Sequence, residues 1–361
     1  MPFGTINVDS VVNSDGVTSG GAYGLKNRII NGAMVIDQRN AGASVTPTNG
    51  QYLLDRWAAD VSQASKFTVI QSSTAPAGFS KSLLVTSSSA YTVGTNDYFA
   101  LHQFVEGFNT ADFSFGSASA TSITLSFWVR SSLTGTFGVG LRGASNTRSY
   151  TATYTINSAN TFEYKTITIP GDTSGTWLTN NDVGIGLFFS LGVGSANSTT
   201  AGSWQSVNAT SPTGAGSVVG TNGATFYITG TQLEVGSTAT SFDYRPFGTE
   251  LQLCQRYFNK TNPDNSTTIG GGGAVGTSFT TAGAWLGYQF PVRMRASPTV
   301  TRGGAQDNFW RSGGSGTDTA TIGGFNTFPT ALAFEISSLT NPPGAGFPVV
   351  YNGQLSITAE L

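Results

Sequence analysis

The sequence predicts an all-β protein, in which a jelly-roll β-sandwich is followed by a short linking helix and a second, smaller β-sandwich domain. Three observations support this prediction. Apolar residues alternate with polar ones in many short runs, turn-forming clusters separate those runs, and one segment instead repeats its apolar residues every three or four positions. Alternation is typical of a strand with one buried face, and the longer spacing is typical of a helix.

Residues 26–248 contain the clearest strand patterns. In ITLSFWV, the side chains of Ile123, Leu125, Phe127 and Val129 fall on one face. VGIGLFFSL and YTATYTI alternate in the same way, and polar clusters such as SSLTGT and GDTSGT separate the runs. Each strand has one apolar face, and a second sheet is needed to cover it. This region is therefore predicted to be a jelly-roll sandwich.

The helical pattern occupies residues 249–260, where Leu251, Cys254 and Phe258 recur on one side. Thr249 has the side chain of a good N-cap and stands directly before this pattern. Cys254 is the single cysteine of the chain, so no internal disulfide is possible, and its place on the apolar side predicts a buried free thiol. The segment is predicted to be a helix that links two β-domains.

The two ends of the chain differ in their ability to form a core. Residues 261–361 open with a glycine-rich stretch and continue with the alternating runs AWLGYQFPV, ALAFEIS and GQLSITAEL. They are predicted to form the second, smaller β-domain. Residues 1–25 are small and polar with few apolar side chains, and we expect them to be an arm that pairs with another protein.

The composition excludes several classes of partner. The net charge is −2, charged residues make up only 10% of the chain, and no basic run is present. Neutralising several phosphates needs clustered Lys and Arg, so nucleic-acid binding is not expected. No apolar run approaches the roughly 20 residues of a membrane-spanning helix, and no signal peptide is recognisable. We expect a protein that is assembled in a cytoplasm and works outside it.

Candidates for catalysis are few. His102 is the only histidine, and its place in the alternating run DYFALHQFVE indicates a structural or surface role. The carboxylates are dispersed, and no spacing singles out a pair for glycan cleavage. Asp172, in PGDTSG, is read first as a turn residue, with a ligand of a structural Ca²⁺ as the alternative. We predict no catalytic residue, no cofactor and no enzymatic activity.

Aromatic residues are the more productive candidates for binding. The chain has 24 Phe, 12 Tyr and 6 Trp. Trp177, Trp204 and Trp310 stand in loop-like contexts rich in Asn, Asp and Gln, where a flat ring can stack on a sugar and nearby amides can bond its hydroxyls. These three are the candidate glycan platforms. The alternative is that each ring anchors a long loop onto the sandwich. Trp57 and Trp128 lie in regular patterns and are predicted to be core or interface residues.

Several long motifs resemble a known kind of protein. NRIINGAMVIDQRNAGASVT and YLLDRWAA resemble the opening of a domain of phage tail fibres and virion-surface proteins. SITLSFWVRSSLTGTFGV resembles its middle strands, which are also similar to carbohydrate-binding modules of the jelly-roll type. TGTQLEVGSTATSFDYRPFGTELQLCQRYF resembles its closing strand and the helix that follows. FPVRMRASPTVT and ITAEL resemble the C-terminal domain of such fibres.

This resemblance implies a non-enzymatic phage fibre or receptor-binding protein, exposed on the virion, that forms a homotrimer and contacts a host surface polysaccharide. Residues 1–25 would attach it to other virion proteins. Arg245, Glu250 and Arg256 are predicted to orient domains or subunits. The alternative is a capsid decoration (cement) or head-fibre protein with a mechanical role. A glycan-degrading tailspike is the least favoured of the three interpretations.

Overall fold

A computed structural model of the protein describes residues 26–145, 147–261, 274–280, 283–303, 309–311, 321–337, 348–351 and 354–361. Contacts divide the chain into two compact units. The first includes residues 26–35 and Gly42–Tyr244, and the second includes Ile36–Ala41 and the residues from Arg245 onward. The predicted arm, residues 1–25, lies outside the described residues.

The regular secondary structure of the first unit is almost entirely strand. Three short 3₁₀ turns, Gly107–Asn109, Ala111–Phe113 and Ser195–Asn197, interrupt the strands. The strands are β1 (Gln51–Leu54), β2 (Trp57–Val61), β3 (Phe67–Ser72), β4 (Ser82–Ser87), β5 (Tyr98–Glu106), β6 (Ile123–Ser131), β7 (Gly135–Gly143), β8 (Ser149–Ile156), β9 (Glu163–Ile169), β10 (Val183–Val193), β11 (Ser198–Thr199), β12 (Trp204–Gln205), β13 (Ser211–Pro212) and β14 (Thr225–Val235).

Two antiparallel sheets make up most of this unit, and β11 and β13 form a short parallel pair beside them. A seven-stranded sheet has the order β1-β2-β5-β10-β7-β8-β12, and a five-stranded sheet has the order β3-β4-β14-β6-β9. Both orders join strands that are distant in sequence, which is expected of a sandwich rather than of a simple meander. The sandwich predicted from the alternating pattern is confirmed.

The inner faces of the two sheets share one hydrophobic core. Ile123, Leu125, Phe127 and Val129, which the sequence placed on one face of β6, are all fully buried in it. Trp57 also lies in this core, as predicted, and its indole N–H donates to a backbone carbonyl oxygen. Burial of one face of each sheet in the core fixes the register of its strands. The residues that alternate with the core residues therefore point outward.

The second unit is a smaller β-domain with its own core. It contains the helix α1 (Phe247–Gln255) and the strands β15 (Phe258–Lys260), β16 (Val275–Ser278), β17 (Ala284–Gln289), β18 (Thr299–Gly303), β19 (Phe309–Arg311), β20 (Thr321–Thr327), β21 (Ala331–Ser337), β22 (Pro348–Tyr351) and β23 (Gln354–Thr358). These form a six-stranded sheet, β19-β22-β16-β17-β21-β20, and a three-stranded sheet, β15-β23-β18. The second β-domain predicted from the sequence is confirmed, and Cys254 is buried and forms no disulfide, as expected.

The helix differs from its sequence prediction at both ends. Its N-cap is Pro246 and no side chain caps it, so the N-cap predicted at Thr249 is wrong. The helical pattern in the sequence also includes Phe258. In the structure Phe258 is in a strand and pairs with Thr358 in an antiparallel ladder. A buried aromatic residue at the right spacing continues a helical pattern and equally fills a strand position, so spacing alone does not separate the two. The predicted domain boundaries, 26–248, 249–260 and 261–361, stay predictions.

A short early segment, Ile36–Ala41, belongs to the second unit. The guanidinium of Arg39 lies 3.8 Å from the ring centroid of Phe258 and forms an ion pair with Glu360 at 2.5 Å. Both charged side chains are largely buried. The ion pair of Arg39 and Glu360 joins residues that are 321 positions apart, and no local sequence pattern indicates it.

Within the described ranges, no helix has the length and hydrophobicity needed to cross a membrane.

Candidate functional site

The outer face of the seven-stranded sheet carries the candidate site. In β2, Ala59 and Val61 lie in the core, so Asp60 between them points outward. By the same alternation Tyr98 of β5 and Arg142 of β7 reach the outer face. Three strands that are far apart in sequence thus place a carboxylate, a phenol and a guanidinium on one surface.

Two glycines allow a loop to lie directly on this face. A Cβ at Gly140 would be only 2.5 Å from the carbonyl oxygen of Thr210, and one at Gly138 would be 2.5 Å from Pro212. Any larger residue at these positions of β7 would therefore push the loop away from the sheet. The missing side chains let the backbone of Thr210 and the side chains of Ser211 and Pro212 pack directly on the strand.

Ser149 of β8 holds the same loop from the side. Its hydroxyl donates to the carbonyl oxygen of Val207 at 2.6 Å and accepts the backbone N–H of Ala209 at 3.0 Å. Asn208, between these two anchored residues, accepts a hydrogen bond from the guanidinium of Arg142 at 2.8 Å. The loop therefore presents its amide next to the charged groups of the sheet.

Loop and sheet together enclose an open, polar cavity of about 250 Å³. We call it the Asp60 cavity. Its lining provides amide and hydroxyl groups, one carboxylate, one guanidinium and one aromatic ring. The lining residues are Asn49, Asp60, Tyr98, Arg142, Asn197, Asn208 and Thr210. The side-chain oxygen of Asn49 accepts a hydrogen bond from the backbone N–H of Val61 at 3.0 Å, which fixes the orientation of this amide.

Asp60 is charged in this environment. Burial opposes its ionisation, but the interactions with His102 and the positive charge of Arg142 outweigh burial and lower the pKa of Asp60. Its Oδ1 lies 3.3 Å from Nδ1 of His102. Burial in turn lowers the pKa of Arg142, and the charge of Asp60 offsets part of that effect.

His102 lies beneath the cavity as a buried side chain. Its ring centroid is 4.6 Å from that of Phe104 and 5.5 Å from that of Phe188. Arg142 in turn lies over the ring of Phe188, with its Cζ 4.5 Å from the centroid. The histidine thus supports Asp60 from below, in agreement with the structural role predicted for it.

The structure brings two of the three predicted glycan platforms together. The rings of Trp177 and Trp204 meet edge to face with centroids 5.2 Å apart, and both contact Phe115. The indole N–H of Trp204 donates to the carbonyl oxygen of Pro170 at 2.7 Å, and that of Trp177 donates to Ser174 at 3.2 Å. Both rings are half-buried against the sandwich core, a geometry that also suits loop anchoring. Their role in glycan binding stays a prediction.

Trp310 is described only as backbone. It lies in β19 and pairs with Val350 of β22, and its side chain lies outside the described part of the chain.

Asp172 is paired with an arginine. Arg148 donates to both carboxylate oxygens of Asp172, and the indole N–H of Trp177 adds a third contact at 3.3 Å. Asp172 is almost fully buried. A bidentate arginine occupies both carboxylate oxygens, so Asp172 serves here as the partner of Arg148, and its interpretation as a turn residue stays a prediction.

The three residues predicted to orient domains or subunits all lie in the second unit. Arg245 and Glu250 form an ion pair at 3.2 Å near the start of α1. Arg256 follows the helix, and its carbonyl oxygen accepts the backbone N–H of Arg295 at 2.9 Å. These contacts position the helix within its own unit, and the orienting role stays a prediction.

Sequence reasoning missed the Asp60 cavity. Asp60 and Arg142 were each visible as a charged residue between two apolar ones in an alternating run. That signal marks an outward position, but the register that aligns the two strands was not visible.

No protein-family model matches the chain, and no curated protein matches it significantly. Solved structures are similar to it at low identity. The enzymatically active domain of tailspike protein 4 of bacteriophage CBA120 has 12% identity and a TM-score of 0.33, with 58% of this chain and 21% of that chain covered. A putative sugar binding protein from Bacteroides thetaiotaomicron has 12% identity and a TM-score of 0.33, with 58% and 100% covered.

A family 11 carbohydrate-binding module from Clostridium thermocellum, in complex with a β-1,3-1,4-mixed-linked tetrasaccharide, has 13% identity and a TM-score of 0.27. The match covers 56% of this chain and 98% of the module. Similarity at this level concerns the fold, and it leaves the function of this chain to its own residues.

Proposed function

We propose that this protein binds a bacterial surface polysaccharide in the Asp60 cavity, as a non-enzymatic fibre or receptor-binding protein of a phage virion. The observation that carries the binding role is the cavity itself. It is open and polar, and it combines fixed amides with a carboxylate, a guanidinium and an aromatic ring.

Each group has a use in sugar recognition. The ionised carboxylate of Asp60 accepts hydrogen bonds from sugar hydroxyls, and Arg142 donates them. The amides of Asn197 and Asn208 do both, and the ring of Tyr98 offers a flat apolar surface. The volume of about 250 Å³ is slightly below the range of about 300–1,000 Å³ that is usual for small-molecule sites. It suits a short part of a sugar chain.

The virion role is supported by the sequence resemblance and by the composition. A surface with few charges desolvates easily when subunits associate, which favours the proposed homotrimer. Three copies on one particle would turn weak binding of a repeating glycan into strong attachment. Residues 1–25 would join the trimer to other virion proteins.

Glycan binding is tested with the full chain and a panel of purified bacterial surface polysaccharides, measured by isothermal titration calorimetry. We expect Asp60→Asn and Tyr98→Ala to weaken binding of the best ligand by about tenfold or more, because each removes a lining group. Thr155→Ala, at an exposed position on the same sheet, is the matched control and should bind normally. Equal binding by all variants would refute the cavity as the site.

The virion role is tested by immunogold labelling of phage particles. Label at the tail or on fibres, together with binding of the protein to host cells, is the expected result. Label spread over the capsid without host binding would favour the decoration role instead. Release of reducing ends from the bound polysaccharide would overturn the non-enzymatic assignment.

A further inference from the structure

The outer face of the other, five-stranded sheet carries a group of aromatic residues, of which Tyr164 is exposed and the others are half-buried. In β6, Phe127 and Val129 are buried in the core, so Trp128 and Arg130 point outward. Trp128 pairs with Tyr164 of β9, and Arg130 pairs with Tyr227 of β14. Phe162 precedes Glu163, whose partner is Val129, so it stands beside Arg130 on the side away from Tyr227.

These five side chains form one continuous surface, which we call the Arg130 surface: Trp128, Arg130, Phe162, Tyr164 and Tyr227. The rings of Trp128 and Tyr164 are 5.4 Å apart, and those of Phe162 and Tyr227 are 6.0 Å apart. Tyr164 is 43% exposed. Along β6 the arginine and the tryptophan are two residues apart, about 7 Å, which is close to the width of one pyranose ring.

The guanidinium lies between two of the rings. Its Cζ is 5.0 Å from the centroid of Tyr227 and 5.8 Å from that of Phe162. Cation–π contacts of this kind hold a charged side chain in place without neutralising it.

Arg130 has no opposite charge. Among the residues that the structure describes, no carboxylate forms an ion pair with it, and its buried Nε has no hydrogen-bond partner. Arg148, by contrast, is saturated by Asp172. An anionic ligand would neutralise the charge of Arg130 and accept hydrogen bonds from its guanidinium. The planar fork of arginine matches a carboxylate in particular.

We propose that the Arg130 surface binds a carboxylate-bearing sugar of an acidic polysaccharide. The carboxylate pairs with Arg130, and the apolar face of the sugar ring packs on Trp128 and Tyr164. This site is on the sheet opposite the Asp60 cavity and shares no residue with it. It therefore does not depend on the cavity's proposed role, and the two proposals fail separately.

The test uses the full chain with trisaccharides of galacturonic acid and of glucuronic acid, and with their methyl esters. Binding is followed by calorimetry and by the fluorescence of tryptophan. We expect an acid trisaccharide to bind and its ester to bind at least about tenfold more weakly, because the ester has lost its charge. Affinity should also fall as salt is added, since the contact is ionic.

Variants separate charge from shape. Arg130→Gln should reduce acid binding by about tenfold or more, and Arg130→Lys should give an intermediate loss because it keeps the charge and loses the planar fork. Tyr164→Ala should weaken binding of the acid and ester alike. Thr155→Ala, at an exposed position of the opposite sheet, is the matched control and should leave this binding unchanged.

Three results would overturn the proposal: no binding of either acid trisaccharide at millimolar concentration, equal binding of acid and ester, or unchanged binding by both arginine variants. Sedimentation velocity distinguishes another occupant. If Arg130→Gln or Tyr164→Ala dissociated an oligomer without changing sugar binding, the surface would be a contact between copies of this chain and the proposal would be wrong. Thermal unfolding checks that each variant is folded.

Discussion

At the scale of single residues, Asp60 is a carboxylate whose charged form is favoured by its neighbours in the fold. The interactions that lower its pKa exist only in the folded protein, because His102 and Arg142 reach it from other strands. Such a carboxylate stabilises the fold when it is ionised. Its contribution is present above its ordinary pKa of 3.8 and is lost as the pH falls through the lower folded value.

The prediction is a pH-dependent effect of Asp60→Asn. The variant should lose stability relative to the natural chain at about pH 6, and the difference should shrink towards about pH 2.5 as the carboxylate becomes protonated. Urea unfolding at both pH values measures it. Thr155→Ala should follow the natural chain at both. A difference that is constant across this range would contradict the assignment of the lowered pKa to Asp60.

Trp177 and Trp204 give a second residue-scale prediction, because their rings touch. Each single change to alanine should lower the free energy of unfolding by about 1–3 kcal/mol, less than for a fully buried tryptophan. The double variant should lose less than the sum of the two, with a coupling of about 0.5–1.5 kcal/mol. Thermal or urea unfolding of the four proteins checks this. Strict additivity would show that the two loops are held independently.

At the scale of elements, the contact between β7 and the loop 205–213 depends on an absent side chain. Gly140→Ala would place a methyl group 2.5 Å from the carbonyl oxygen of Thr210. We expect a loss of about 1–3 kcal/mol in the free energy of unfolding. We also expect weaker glycan binding, because Asn208 and Thr210 move with the loop.

Gly248→Ala is the matched control for this substitution. Gly248 lies in α1, and a Cβ there would meet nothing within 4 Å. The change should leave stability unchanged or raise it by about 0.4–1 kcal/mol, because it reduces the freedom of the unfolded chain. Urea unfolding of both variants gives the comparison. If Gly140→Ala behaved like Gly248→Ala, the loop would not be packed on the strand.

At the scale of the whole molecule, each unit has its own hydrophobic core. Trp57 is fully buried in the first core, whereas Cys254 is buried in the second unit. Trp57→Ala should cost the first unit about 3–5 kcal/mol. The denaturant concentration at which the thiol of Cys254 becomes reactive should stay unchanged. Thiol labelling and tryptophan fluorescence in a urea series measure the two transitions, and a shift of both together would mean that the units unfold as one.

Much of this architecture follows from the period of the sequence. The alternation around Phe127 predicted which residues of β6 enter the core, and the predicted core position of Trp57 is correct. Trp128 is on the outer face of its sheet, as the same alternation requires, and it is half-buried there. Periodicity predicts the two faces of a strand because one face packs in the apolar core and the other meets water.

The candidate sites were less accessible to sequence reasoning. The Asp60 cavity needs the register of β2 against β5 and of β7 against β10, together with a loop that comes back over the sheet. Register depends on pairings between distant residues, which a single sequence does not reveal. The two tryptophans that drew attention as separate loop residues instead share one cluster, because the loop that carries Trp177 meets β12, the edge strand that carries Trp204.

The glycines of β7 have a consequence for how this surface can change. Gly138 and Gly140 require only that nothing projects from the strand, and Ser149 bonds the loop through its backbone. Neither contact depends on which side chain stands at position 208. The loop tip is therefore free to vary while the sandwich beneath it stays the same. Substitutions there would change the chemical groups that line the cavity at little cost to folding.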